Sequence, residues 1–200
     1  MAELPGFRLA AWDTPLRVHA HREAGRYHRA GSPPTQYIGL HPLAPWAEYM
    51  RHHGLRSRDE VDDRRIRTWA IRVTGPEPVE IAFDDAPDHG LDAYDLVSDD
   101  WGACQDLADR LRTDAAAPNV VVVPSAALPG ARNVVIFDER VDIPYQWEPV
   151  DDVDLPACVV AEEGRPPAGL ADLVRHRDDD HAELEAWRSG EPFDLADLRL

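Results

Sequence analysis

Two short stretches of the chain carry polar residues at positions that chemistry could use and a core would not. Gly25-Arg26-Tyr27-His28 opens the first, followed by Tyr37 and Glu48. The second is Pro124-Ser125, directly behind the apolar run 119–123, with Pro129-Gly130-Ala131-Arg132-Asn133 after it. A guanidinium forks onto phosphate or carboxylate oxygens. A glutamate can stabilise positive charge as it develops, and a serine hydroxyl can hydrogen-bond a ligand. Ser125 lacks a Gly-x-Ser-x-Gly setting, so a nucleophile elbow is unsupported. Together the residues suit a phosphate-bearing sugar. Each also has a plain alternative: a surface arginine, a tyrosine packed on a sheet, a glutamate solvated on the outer face of a helix.

Alternating elements are expected to position these groups. Strands are predicted at residues 7–10, 35–40, 66–74, 79–83, 119–123 and 134–137, with a further one within 142–150. Residues 13–34, rich in Pro, Gly, Arg and His, read as an extended loop that carries Arg26 and Tyr27. A helix is predicted to start near Pro42 and Pro45, to carry Glu48, and to stop at Gly54. Asp99-Asp100 can cap a second helix reaching about Arg112, with Trp101, Cys104, Leu107, Ala108 and Leu111 on one face. The pattern predicts an α+β fold, a mixed β-sheet flanked by helices. Ser125 then falls at the end of a buried strand, where ligand sites of such folds gather.

Charge and composition narrow the partners. The net charge is -17 over 200 residues, yet residues 1–58 hold eight arginines against four acidic residues, a balance of +4 that leaves -21 for the rest. Such an acidic chain repels nucleic acid and anionic membrane surfaces. Its basic first quarter can still receive one small anion, although arginine also stands in for lysine, which is absent. Cys104 and Cys158 form no CxxC pair, and His19/His21, His52/His53 and His176/His181 lack a three-ligand spacing, so no metal is expected. No run of about 18 apolar residues suggests a membrane span, and the cytoplasm is the expected compartment. Beyond Pro149 the chain turns acidic and proline-punctuated, with two weak helical stripes (Leu170, Leu173 and Val174; Leu184 and Trp187). Residues 1–150 are therefore expected to form the main domain. Residues 151–200 read as an acidic extension packed loosely on it, or as a solvated tail.

The order Gly-Arg-Tyr, a strand with Tyr37, a helix with Glu48, then Pro-Ser-x-x-x-Pro-Gly-x-x-Asn resembles the RES domain over roughly residues 6–149. The resemblance implies an ADP-ribosyltransferase-like fold and a bacterial toxin of a type II toxin–antitoxin module that degrades NAD+. It carries Arg26, Tyr27, Tyr37, Glu48 and Ser125 into an NAD+ site, with Arg8 as the earlier arginine and Arg17 as the alternative. Tyr27-His28 stands where many members have Trp-Asn. The loop to Tyr37 is about one residue longer than usual, and the segment after about residue 150 has no counterpart in the minimal domain.

The implied chemistry is physically economical. Hydrolysing an ordinary glycoside takes two carboxyl groups, one of which protonates the leaving oxygen. Nicotinamide in NAD+ is cationic and departs neutral, so one carboxylate suffices. Glu48 would hold the ribose hydroxyls and the developing charge, Arg26 the pyrophosphate, Tyr27 or Tyr37 the nicotinamide face, and Ser125 the ribose or the acceptor. The acceptor stays open between water, inorganic phosphate as co-substrate, and a protein. No cofactor is expected beyond NAD+ as substrate. A degraded scaffold serving as a non-catalytic interaction module is the rival reading. By the same resemblance an antitoxin with a helix-turn-helix region would be the partner, with a homodimer left open and direct nucleic-acid binding not expected.

Overall fold

The computed structural model describes residues 2–11, 23–61, 66–75, 77–114, 116–137, 146–149, 166–167 and 169–195. Their strands are β1 (Ala2–Ala11), β2 (Thr35–Gly39), β3 (Ile66–Gly75), β4 (Val79–Glu80), β5 (Val120–Pro124), β6 (Arg132–Phe137) and β7 (Gln146–Pro149). The helices are α1 (Ala44–His53), α2 (Gly102–Thr113) and α3 (Ala182–Ser189). One sheet runs β4-β5-β6-β2-β1-β3-β7. Neighbours are antiparallel except β4 and β5, which makes it mixed, as the α+β reading expects.

β5 and β6 sit near one end and are buried on both faces, which explains their continuous valines and isoleucine. Alternation sends Val121, Val123, Val135 and Phe137 into a core shared with Leu107, Ala108 and Leu111 of α2. Val120, Val122, Val134 and Ile136 pack on the opposite face with Ile38 and Ile71. α1 forms a third cluster, where Trp46 and Met50 meet Ala127, Leu128, Leu170 and Val174.

Several expected elements change length. β1 extends through all of residues 2–11 because every one of its residues is in register with β3, from Ala2 opposite Gly75 to Ala11 opposite Ile66. The strand expected at 79–83 keeps only Val79–Glu80. Asp85 accepts a hydrogen bond from the Ala82 amide at 3.1 Å and turns the chain into a single 3-10 turn at Ala86–His89. α1 starts at Ala44, and Gly54 ends it in the left-handed conformation at φ 67°. Of the strand predicted within 142–150, Gln146–Pro149 is a strand against β3 and the remainder lies outside the described residues.

The loose packing expected beyond residue 150 is corrected for the described part. Leu170, Val174 and Leu184 are core residues, and Arg175, His176, His181 and Glu183 are buried with them. Each fully buried aliphatic side chain contributes about 1.5–3 kcal/mol before entropy is counted. Glu183 accepts from the Gly130 amide at 2.8 Å and from Arg132 at 2.7 Å. His181 donates from Nε2 to the Ser125 carbonyl at 2.9 Å. Acidic composition concealed these contacts, because the apolar residues are few and widely spaced. The described part of this segment thus supports the β5–β6 connection and supplies core residues.

Candidate functional site

A cavity of about 620 Å³ opens where α1, β2, the 23–34 loop and the ends of β5 and β6 converge. That size falls within the range of small-molecule sites. Its wall includes Arg8, Arg26, Tyr27, Tyr37 and Glu48, five of the six predicted site residues.

Glu48 is the best-held of them. It is half-buried on α1, and its Oε1 accepts from Ser125 Oγ at 3.0 Å and Asn133 Nδ2 at 2.9 Å. Two donors on one oxygen fix the carboxylate and leave Oε2 without a hydrogen bond among the described residues. Local backbone brings the three together. Asn133 pairs with Gly39 across the β2–β6 ladder, and a Cβ on Gly39 would come within 2.8 Å of the Ala44 Cβ. Only a glycine there lets α1 sit this close to the strand.

Ser125 departs from expectation. It is fully buried and absent from the cavity wall. Its Oγ accepts from the amides of Leu128 at 3.1 Å and Ala127 at 3.3 Å while donating to Glu48. Its hydroxyl therefore orients Glu48 from behind. The hydroxyl's one hydrogen is already committed, which is why direct contact with a ribose or an acceptor is not what the geometry offers.

The arginine loop is a tight turn closed by mutual backbone bonds of Gly25 and His28. A Cβ on Gly25 would meet the His28 ring at 2.3 Å, so this position too requires glycine. α2 holds the turn. Gln105 donates to the Gly25 carbonyl at 2.9 Å, Arg112 donates to the Tyr27 carbonyl at 2.9 Å, and Arg29 bridges to Asp106 and Asp109. Arg26 gives Nη1 to the Asp95 carbonyl at 3.2 Å. Its Nη2 is buried with no partner among the described residues, an unmet donor on a cavity-lining cation.

The two tyrosines and His28 form a connected set. Tyr37 Oη accepts from the Tyr27 amide at 3.0 Å and contacts His28 Nδ1 at 2.8 Å. His28 Nε2 meets the Glu23 carbonyl at 3.1 Å, and a carbonyl can only accept. In the neutral ring Nε2 therefore carries the hydrogen, and Tyr37 donates to Nδ1. Burial pushes the Tyr37 phenol well above its ordinary range, so it stays a donor at any ordinary pH. Tyr27 is more deeply placed, 1% exposed within the α2 core, and burial beside Cys104 raises its phenol as well. Tyr37, half-buried, is the more available stacking face.

Arg8 donates to Gln36 Oε1 and faces the same cavity from β1. Arg17, the alternative early arginine, lies outside the described residues.

Residues 7–158 match the RES domain family model. The chain belongs to the RES domain family. It is 33% identical over 117 residues to a probable NAD(+) phosphorylase of Mycobacterium tuberculosis, an alignment spanning 58% of this chain and 54% of that protein. The chain thus spans about half the length of the curated relative it matches. A chain from the crystal structure of the M. tuberculosis MbcT–MbcA toxin–antitoxin complex has the same fold, with a TM-score of 0.57 and 19% identity over 74% of this chain and 85% of that one. Among the described residues of this RES protein, no helix is long and apolar enough to cross a membrane.

Three functional candidates, Asn133, Arg51 and Arg177, were given no role from the sequence. Asn133 stood inside the Pro-Gly-x-x-Asn pattern without a role. Arg51 lies three residues after Glu48, hence on the same helix face, and that spacing was the available signal. His28, named in the first candidate stretch, is 5% exposed and locked between Tyr37 and the Glu23 carbonyl. Arg177 belongs to a segment read as tail, and no local pattern pointed to it.

Proposed function

We propose that this chain is an NAD+-degrading enzyme that cleaves the bond between nicotinamide and ribose, as the toxin of a toxin–antitoxin pair. The observation that carries the reading is one carboxylate, Glu48, clamped through a single oxygen at the wall of a cavity whose other charges are mainly arginines. Glu23 also reaches the wall but is exposed and is not clamped there. A cationic leaving group needs no proton, so one fixed carboxylate facing the ribose is enough to stabilise the oxocarbenium-like state. Arg26, which lines the cavity, binds the pyrophosphate, and Tyr37 offers its face to nicotinamide. Arg8 completes the dinucleotide site, and Tyr27 shapes its inner wall.

The relative described as a probable NAD(+) phosphorylase favours inorganic phosphate as the acceptor, with the bond from phosphate to ribose C1 forming as nicotinamide leaves. The fold shared with a chain of a toxin–antitoxin complex supports an antitoxin partner. Its helix-turn-helix region and a cytoplasmic location belong to the same reading, in which a homodimer is left open.

The test is direct. Purified protein incubated with NAD+ and phosphate should yield nicotinamide and ADP-ribose-1″-phosphate. ADP-ribose as the sole product would make water the acceptor, label on a protein would make the enzyme a transferase, and intact NAD+ would overturn the reading.

Asn133 and Ser125 give a second prediction. Removing one hydrogen bond to a charged group typically costs 1.5–3 kcal/mol, so Asn133→Ala and Ser125→Ala should each lower kcat about tenfold or more with KM nearly unchanged. Because both bonds end on the same oxygen, the double variant should lose less than the product of the single losses. Steady-state kinetics on the four proteins checks this, and full multiplicativity would separate the two residues from Glu48.

A further inference from the structure

Arg177 reaches the cavity wall from outside residues 7–158, the part of the chain that matches the family model. It is exposed, and among the described residues it has neither a hydrogen bond nor an ion pair. The turn that carries it is built with care. Asp178 has φ 66°, the one non-glycine residue in the left-handed region among those described. Aspartate tolerates that conformation better than most side chains, and here its amide is held by a hydrogen bond.

The surroundings of this turn centre on Asp99. Its Oδ2 accepts from the Asp178 amide at 3.0 Å and from Arg175 Nη2 at 3.2 Å, while its Oδ1 pairs with Arg51. Arg175 is buried and adds bonds to the Val97 carbonyl at 2.9 Å and the Asp179 carbonyl at 2.9 Å. The Asp179 carboxylate accepts from the His176 amide at 3.1 Å. One carboxylate therefore fixes both Arg51 in the cavity wall and the turn that presents Arg177 to the same space. Arg175 has its charge answered by Asp99; Arg177 does not. An unanswered guanidinium on a held turn, facing a cavity that Arg8, Arg26 and Arg51 also line, is suited to an anionic group of the ligand.

We propose that Arg177 is a specificity-determining residue that clasps a phosphate group in the cavity, with Asp99 as the positioning residue that sets its turn. This rests on the reading of the cavity as a dinucleotide site. The phosphate is either part of the NAD+ pyrophosphate or the inorganic phosphate acceptor, since the guanidinium meets the same chemistry in both.

Calorimetric titration of the full chain with inorganic pyrophosphate and with inorganic phosphate tests the clasp without requiring turnover. Arg177→Ala should weaken one or both about fivefold at low ionic strength, Arg177→Lys should weaken them less, and about 0.5 M NaCl should shrink the difference. Melting temperatures should be unchanged, because Arg177 is exposed. In turnover, KM should rise by a similar factor while kcat holds. A rise confined to NAD+ assigns the pyrophosphate, and one confined to phosphate assigns the acceptor. Unchanged affinity for both anions in a folded Arg177→Ala protein overturns the clasp, even where NAD+ is cleaved. Weakened anion binding in a chain that leaves NAD+ intact keeps the clasp and overturns the dinucleotide reading instead.

Discussion

Glu48→Gln should lower NAD+ turnover about 100- to 1000-fold while leaving the fold and NAD+ affinity nearly intact, the cost expected for loss of one preorganised electrostatic group. Glutamine keeps the shape of the side chain, and its amide oxygen can still accept from Ser125 and Asn133, as Glu48 Oε1 does at 3.0 and 2.9 Å. What it removes is the negative charge at the other atom, which carries no hydrogen bond among the described residues. In its place stands an NH2 group whose partial positive charge opposes an oxocarbenium ion. The loss should therefore fall on kcat, since the charge develops only in the transition state. Glu48→Asp retains charge but draws it back by one methylene, away from both donors, and should fall between the two. Retention of full turnover by a folded Glu48→Gln protein would remove Glu48 from the chemistry. A loss expressed wholly in KM would make it a ground-state binding group.

Local features were legible in the sequence, and contacts between distant segments were not. Tyr37 in a strand, Glu48 on a helix ended by Gly54, and Arg26 in a glycine-led loop were legible because each depends on short-range spacing. Neighbours in space were not. β2 lies between β1 and β6, and β6 brings Asn133 opposite Gly39, a pairing of residues far apart in the chain that no periodicity reports. Ser125 was legible as a strand-end hydroxyl, but its direction was not. The turn after β5 points it into the protein, where the Leu128 amide and Glu48 occupy it. Buried charges were hidden for a similar reason. Arg51, Arg175 and Glu183 read as surface residues until their partners Asp99 and Arg132 are seen beside them. The acidic segment after residue 150 misled most, since its composition resembles solvated chain while Leu170, Val174 and Leu184 complete two cores.

That segment also sets the response to acid, and His181 is the group to watch. It is 2% exposed, and both ring nitrogens are committed: Nε2 donates to the Ser125 carbonyl at 2.9 Å, and Nδ1 accepts from the Leu184 amide at 3.3 Å as the N-cap of α3. Only the neutral ring satisfies both, since a protonated Nδ1 would face an N–H. Burial lowers its pKa from 6.5 to about 4, with Arg175 and Arg26 acting in the same direction against the Ser125 carbonyl and Glu183. The unfolded chain therefore takes up this proton before the folded one. Stability from His181 is complete above about pH 6.5 and is lost as pH falls through about 4. At 1.36 kcal/mol per pH unit the full loss is about 3 kcal/mol. Urea unfolding between about pH 7 and 4 should show it, with His181→Gln, which cannot titrate, falling less steeply by roughly that amount. His176, also lowered by burial, contributes to the slope of both proteins and cancels in the difference. Equal slopes would mean that His181 does not govern acid unfolding. The steeper slope would place the acid-sensitive contact directly behind Ser125, where the α3 cap is lost only as pH falls to about 4.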